Sequence, residues 1–153
     1  VEAGVFDDIG AALMFRPGVY DGAWAPLTAQ EQYRFAFHGR AAHPMGNPTE
    51  GVDALAALVE LFNVLAVLGR RLPEGASPVQ GVVEHGGHGL EPRARVRGGP
   101  VRVARGDHGA LDEPAVRLRS CAAGVTQATG TTRAAERAGV RYEHFRDSAA
   151  LSG

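Results

Sequence analysis

No lysine occurs in this chain of 153 residues, so all sixteen basic side chains are arginine, and Ile9 is the only isoleucine. Lysine and isoleucine need A/T-containing codons, whereas alanine, glycine, arginine and valine use G/C-rich ones. A very GC-rich gene accounts for both shortages. Cysteine is nearly missing too: Cys121 stands alone, which excludes an intrachain disulfide and gives no sign of an oxidising compartment. Neither sign of charge is in excess, and a formal net charge of −1 gives no bulk affinity for polyanions. Long hydrophobic runs are also lacking. The longest, around Leu61 to Leu68, is broken by Asn63 and is too short to span a bilayer. The opening Val1-Glu2-Ala3-Gly4 has no start methionine and no signal-peptide pattern, so we read the chain as a piece of a longer soluble, cytoplasmic protein.

What is present suffices for a core: 44% of the residues are hydrophobic. Residues 1–27 read as a helix end, a buried strand at Ala11–Phe15 and then loop punctuation at Arg16-Pro17-Gly18 and Ala25-Pro26. From Glu31 to His38, Tyr33, Phe35 and Phe37 alternate with polar residues, which predicts a strand. A turn-rich stretch follows to Gly51. Thr49 is the expected cap of a long helix in which Val52, Leu55, Leu58, Val59, Phe62, Leu65 and Leu68 recur at helical spacing, ending near Gly69–Arg71. Pro78–Val83 predicts a short strand. Valines alternate with arginines at Arg95-Val96-Arg97 and Val101-Arg102-Val103, a further strand. Leu111–Ala128 predicts a second helix, with Pro114 tolerated in its first turn and Val116, Cys121 and Val125 near one face. Val140–Phe145 predicts the last strand.

The resulting order is strand, helix, strand, strand, helix, strand. It predicts an α+β fold of the split β-α-β-β-α-β, ferredoxin-like type: an antiparallel sheet with two helices on one face. Residues 29–146 are expected to form that domain, with 1–28 and 147–153 outside it. The fold alone implies no activity.

Gly39-Arg40-Ala41-Ala42-His43, followed by Pro48, Gly51 and Ala54, resembles the M20 metallopeptidase family, in particular its aminoacylase-1-like and p-aminobenzoyl-glutamate-hydrolase-like amidohydrolases. Gly4-Val5-Phe6-Asp7-Asp8 with Ala11–Phe15 is similar to the strand that leaves the family's catalytic domain. Leu111-Asp112-Glu113, Arg117-Leu118, Cys121 and Ala128-Thr129-Gly130 are similar to its second lid helix. The resemblance implies a lid and dimerisation domain inserted in a catalytic domain. It also implies a homodimer formed through the lid, a small amide substrate, and a divalent metal, zinc, in the full-length enzyme. There the metal acts as Lewis acid on water that attacks the amide. One family ligand position falls in this chain, where the family has histidine before proline. Arg16 occupies it, and an arginine stays protonated and cannot coordinate a cation.

By spacing alone His43 is a turn histidine. The resemblance implies more: a histidine that reaches the partner's active site and stabilises the oxyanion of the tetrahedral intermediate. Gly86, Gly87 and Glu91 fall at substrate-binding positions, Glu91 standing where the family has asparagine. His85 and His88 read as a solvated glycine-rich loop rather than a metal pocket. Cys121 reads as core packing. The arginines at 93, 95, 97, 102 and 105 admit a nucleic-acid reading, but no aromatic residue lies between 88 and 110 to stack on a base. We therefore expect neither nucleic acid nor membrane as partner.

Residues 88–109 lack the family's Gly-Gly-x-x-x-Asn-x-x-Pro and its later aromatic-x-x-Arg strand. Back-translated with ordinary codons and read one base forward, the segment regains asparagine at Glu91, proline at Ala94 and Phe-Glu-Leu-Arg across Val101–Ala104. Two compensating indels in the gene are the reading this suggests, and resequencing decides it. As written, with Gly98-Gly99-Pro100 interrupting its apolar face, the segment is expected to be the least well packed.

The reading that follows is the lid of an amidohydrolase acting on an N-acyl amino acid or peptide-like amide. The runner-up is a non-catalytic α+β dimerisation or ligand-binding module. Since the family's ligand set lies elsewhere, the chain by itself should hydrolyse nothing and bind no stoichiometric zinc. Calorimetry checks this: tight zinc binding lost on changing His43 or His85 would overturn it.

Overall fold

The computed structural model describes residues 3–12, 15, 17–19, 22, 28–42, 47–72, 74, 76, 81–87, 95–106, 111–144 and 150. Its elements are β1 (Ala29–His38), α1 (Ala54–Gly69), β2 (Val83–His85), β3 (Arg95–Arg105), α2 (Asp112–Thr129) and β4 (Thr132–Arg137). The four strands form one antiparallel sheet in the order β2-β3-β1-β4. This is the expected split β-α-β-β-α-β arrangement, with α1 and α2 packed on each other and on the sheet.

β1 shows why the pattern of its sequence works. Alternate residues Ala29, Glu31, Tyr33, Phe35 and Phe37 are buried beneath the helices, while Gln30, Gln32, Arg34, Ala36 and His38 lie on the opposite, open face. Glu31 is a carboxylate in that buried row. Arg137 meets it with Nε 2.7 Å from Oε1, and without that countercharge its burial would be strongly unfavourable.

α1 begins later than Thr49 suggests. Asp53 is the cap: the Leu55 N–H donates to its side chain at 2.9 Å, while Thr49 sits in a short 3-10 turn at Pro48–Glu50. The buried stripe is Ala54, Ala57, Leu58, Leu61, Leu65 and Leu68. Val59, expected inside, is half exposed, and Leu55 and Phe62 pack at the margin. In α2, Pro114 sits buried in the first turn and Gly130 closes the helix at φ 69°, but Val116 faces outward and Leu118 takes its place in the core.

Three further expectations are corrected. Residues 11, 12 and 15 are exposed and irregular, and 13 and 14 lie outside the described residues. The strand expected at Pro78–Val83 falls at Val83–His85, with 77–80 outside the described residues. The last strand is Thr132–Arg137, not Val140–Phe145. Its row of threonine, arginine, alanine and glutamate carries no hydrophobic alternation because it is an exposed edge. Tyr142 still adds a single bridge, to Gln30.

The largest correction concerns 88–109, whose part Arg95–Arg105 is an interior strand. Val96, Val101 and Val103 are all fully buried. Val96 and Val101 are five residues apart, so in a regular strand they would face opposite sides. Between Arg34 and Ala36 of β1, the paired positions on β3 run from Pro100 to Arg97, which inserts one extra residue. This bulge at Gly98-Gly99 returns both valines to the helix face. Glycine is required there by space: a Cβ on Gly99 would stand 2.4 Å from Val82 Cγ2 and 3.1 Å from the Val82 carbonyl oxygen, a backbone atom, whereas one on Gly98 would stand 3.0 Å from Leu58 Cδ1. Gly99→Ala should therefore destabilise the chain by about 1–3 kcal/mol and Gly98→Ala by less. Chemical denaturation checks this, and equal losses would contradict the bulge geometry.

Candidate functional site

Of the sequence-derived site residues, Gly86 and Gly87 are described, and both lie at one end of the sheet. His38, the last residue of β1, pairs with Arg95 at the start of β3 and with Thr132 at the start of β4. β2 ends beside them at His85, paired with Arg97. The chain leaving β1, the chain leaving β2 and the chain entering β3 therefore share this end. Gly86 and Gly87 follow β2 directly, and Gly87 adopts φ 86°, a left-handed conformation that favours glycine. A Cβ on Gly86 would meet Leu55 Cδ1 at 3.9 Å, so this glycine pair lies against the first turn of α1.

The loop that carries His43 is closed at its base. Arg40 and Val52 exchange backbone hydrogen bonds of 2.9 and 2.8 Å, and the Arg40 Nε–H donates to the Glu50 carbonyl at 2.6 Å. Gly39 makes this closure possible. An added Cβ would lie 1.9 Å from the Val52 oxygen and 3.1 Å from the Ala54 nitrogen, both of them backbone atoms with no freedom to move aside. The glycine of the Gly-Arg-x-x-His motif is thus a packing requirement that returns the loop to the start of α1. His43, Glu91, Arg16 and His88 lie outside the described residues.

Sequence reasoning missed Asp53, whose side chain anchors α1 next to both loops. Its place immediately before the apolar run was the available signal, and Thr49 competed with it. It also missed Arg34, which the alternation marks only as an outward residue. Its guanidinium reaches Glu84 on β2 and Glu136 on β4, and Glu84 contributes most to raising its pKa above the ordinary arginine value. Cys121 packs partly buried against the core, and that burial pushes its thiol pKa up, the opposite of what a nucleophile needs. Among the described residues, no three His, Cys, Asp or Glu side chains come together as a metal site. The donor set that a divalent metal requires is therefore not found among them. No helix of the described residues is long and apolar enough to cross a membrane.

Gly39→Ala should cost at least about 2 kcal/mol, with loss of the paired Arg40 and Val52 amide protection. Amide exchange and thermal unfolding measure both, and a fully tolerated alanine would refute the closed-loop geometry.

No family model matches the chain. Among curated proteins it is 32% identical over 87 residues to the Xaa-Arg dipeptidase of Mus musculus, covering 57% of this chain and 20% of that protein. Its fold matches an amidohydrolase/peptidase from Burkholderia cenocepacia with a TM-score of 0.68 at 24% identity, over 80% of this chain and 30% of that one. It also matches an aminobenzoyl-glutamate utilization protein from Klebsiella pneumoniae, with a TM-score of 0.62 at 21% identity, over 80% of this chain and 31% of that one. The chain spans about a fifth of the length of the curated relatives it matches. Over those 87 residues the sequence is similar to an M20-family dipeptidase, and over about 80% of its length the chain shares its fold with part of a solved amidohydrolase/peptidase.

Proposed function

We propose that the chain serves as the lid and dimerisation region of an M20-type metal-dependent amidohydrolase that cleaves an N-acyl amino acid or peptide-like amide. The observation that carries this is the convergence of Gly86-Gly87 and the closed Gly39–Val52 loop on one end of a split β-α-β-β-α-β sheet. In this reading the loop presents His43 to the substrate carbonyl held by a partner subunit. An imidazole N–H there donates to the oxygen as it gains negative charge, stabilising the transition state more than the ground state. The glycines let the substrate backbone approach without obstruction.

Two features of the surface support self-pairing. Val59, Val64 and Val67 are exposed along α1, and Val83 is exposed on β2, a short edge whose one carboxylate, Glu84, is paired with Arg34. The opposite edge, β4, carries Arg133, Glu136 and Arg137, charges that discourage strand addition. α1 runs beside β2, as the approach of Gly81 to Phe62 shows, and alternation puts Val83 on that same side of the sheet. A nucleic-acid partner is disfavoured because Tyr33, Phe35 and Phe37 all face the helices, leaving β1 no aromatic on the open face.

Sedimentation at high micromolar concentration should show a dimer, and Val59→Asp with Val83→Asp should return it to monomer. A monomeric parent chain would sink the pairing. In the longer protein, bearing the flanking genomic sequence, His43→Ala should lower kcat roughly 100-fold with little change in KM. An unchanged kcat would remove the oxyanion role. Flanks without His, Asp and paired Glu ligands would favour the non-catalytic module instead.

A further inference from the structure

We propose that β2 is a separately releasable edge of the sheet, latched in place by the Arg34–Glu84 ion pair, which crosses β3 at its glycine bulge. The ladder that joins β2 to β3 is short and irregular. β2 spans three residues, all exposed, and its pairing with β3 consists of Val83 with Gly98 and His85 with Arg97, with a register shift between them. One further backbone bond, from the Gly99 N–H to the Val82 carbonyl at 2.6 Å, completes the attachment to β3. A regular strand of this length would be marginal even without the irregularity.

The ion pair supplies what the ladder lacks. Arg34 Nε donates to Glu84 Oε1 and Oε2 at 3.3 and 3.1 Å, and Nη2 donates to Oε1 at 3.0 Å, a forked contact that fixes direction as well as distance. Arg34 stands on β1 and Glu84 on β2, two strands apart and so roughly 10 Å across the sheet. Two long side chains bridge that gap only where the intervening strand puts nothing between them. The bulge does this: a Cβ on Gly99 would stand 3.0 Å from Glu84 Cγ. Glu84 has no other hydrogen-bond or ion-pair partner among the described residues. Arg34 is itself anchored from the far side by Glu136 on β4, with Nη1 at 3.4 Å. The two side chains of the latch are only 29% and 34% exposed, so solvent screens them incompletely.

The consequence is an edge that opens while β1, β3, β4 and the helices stay folded. It carries Val82, Val83 and the Gly86-Gly87 pair with it. The inference goes beyond the proposed function, and its test reads neither hydrolysis nor self-association. Amide hydrogen exchange on the whole chain, at a concentration where every variant sediments as the same species, follows the Gly99 amide against amides of α1 and β1. Arg34→Gln and Glu84→Gln should each speed Gly99 exchange about three- to fivefold, the scale of a partly exposed ion pair. The double variant should be no faster than the faster single one, since both remove one interaction. Glu136→Gln should leave Gly99 within twofold of the parent. An unchanged Gly99 amide in both single variants would overturn the latch, as would fully additive effects. Equal acceleration throughout α1 and β1 would also overturn it, because β2 would then open only with the whole domain.

Discussion

The structure depends on one extra residue in β3. A strand alternates its side chains strictly, so a core that needs Val96 on the same face as Val101 and Val103 cannot be built on a regular strand. The bulge at Gly98-Gly99 shifts the phase once, and everything on either side follows from that shift. The valines join Leu58, Leu61 and Leu118 in one core beneath the helices, while Arg102 of the same strand is left exposed. The missing side chains then serve twice. Leu58 of α1 comes close to Gly98, and β2 comes close to Gly99, approaches that any Cβ would push back.

The same economy governs the end of the sheet that we assign to function. Gly39 brings a strand end against the carbonyl of Val52, so the loop that carries His43 leaves and returns at nearly one point. Asp53 then fixes where α1 starts, and Gly86 rests against the first turn of that helix. Two loops far apart in sequence are thereby tied to one helix end. A site divided between such loops needs a rigid base more than it needs rigid tips, and the short backbone bonds of Arg40 and Val52 provide it.

Much of the fold was legible because it rests on local periodicity. The alternation of Tyr33, Phe35 and Phe37, the apolar repeat of α1 and the Pro114 start of α2 each express burial on one face, and a sequence displays that directly. What misled was any residue whose role is set by a distant neighbour. β4 has no hydrophobic alternation because it is an edge whose charges face solvent, so Val140 and Tyr142 attracted the assignment instead. The Gly98-Gly99-Pro100 break suggested a poorly packed segment, because a bulge in phase with its valines and a simple interruption look alike in one strand read alone. Val59 and Val116 suited a helical face by spacing, but the buried stripes run through Leu58 and Leu61 in α1 and Leu118 in α2, leaving both valines half exposed.

The sequence by itself determined the order of elements, the hydrophobic face of β1 and the motif from Gly39 to Ala54, because these follow from spacing within a few residues. Only the tertiary structure decided that Gly39 is required by the Val52 carbonyl, that Glu31 is buried against Arg137, and that Arg34 reaches across β3 to Glu84. These are contacts between residues 13 to 106 positions apart. Their energetics depend on which strands the topology sets side by side, and nothing in the local pattern of charge or volume encodes that adjacency.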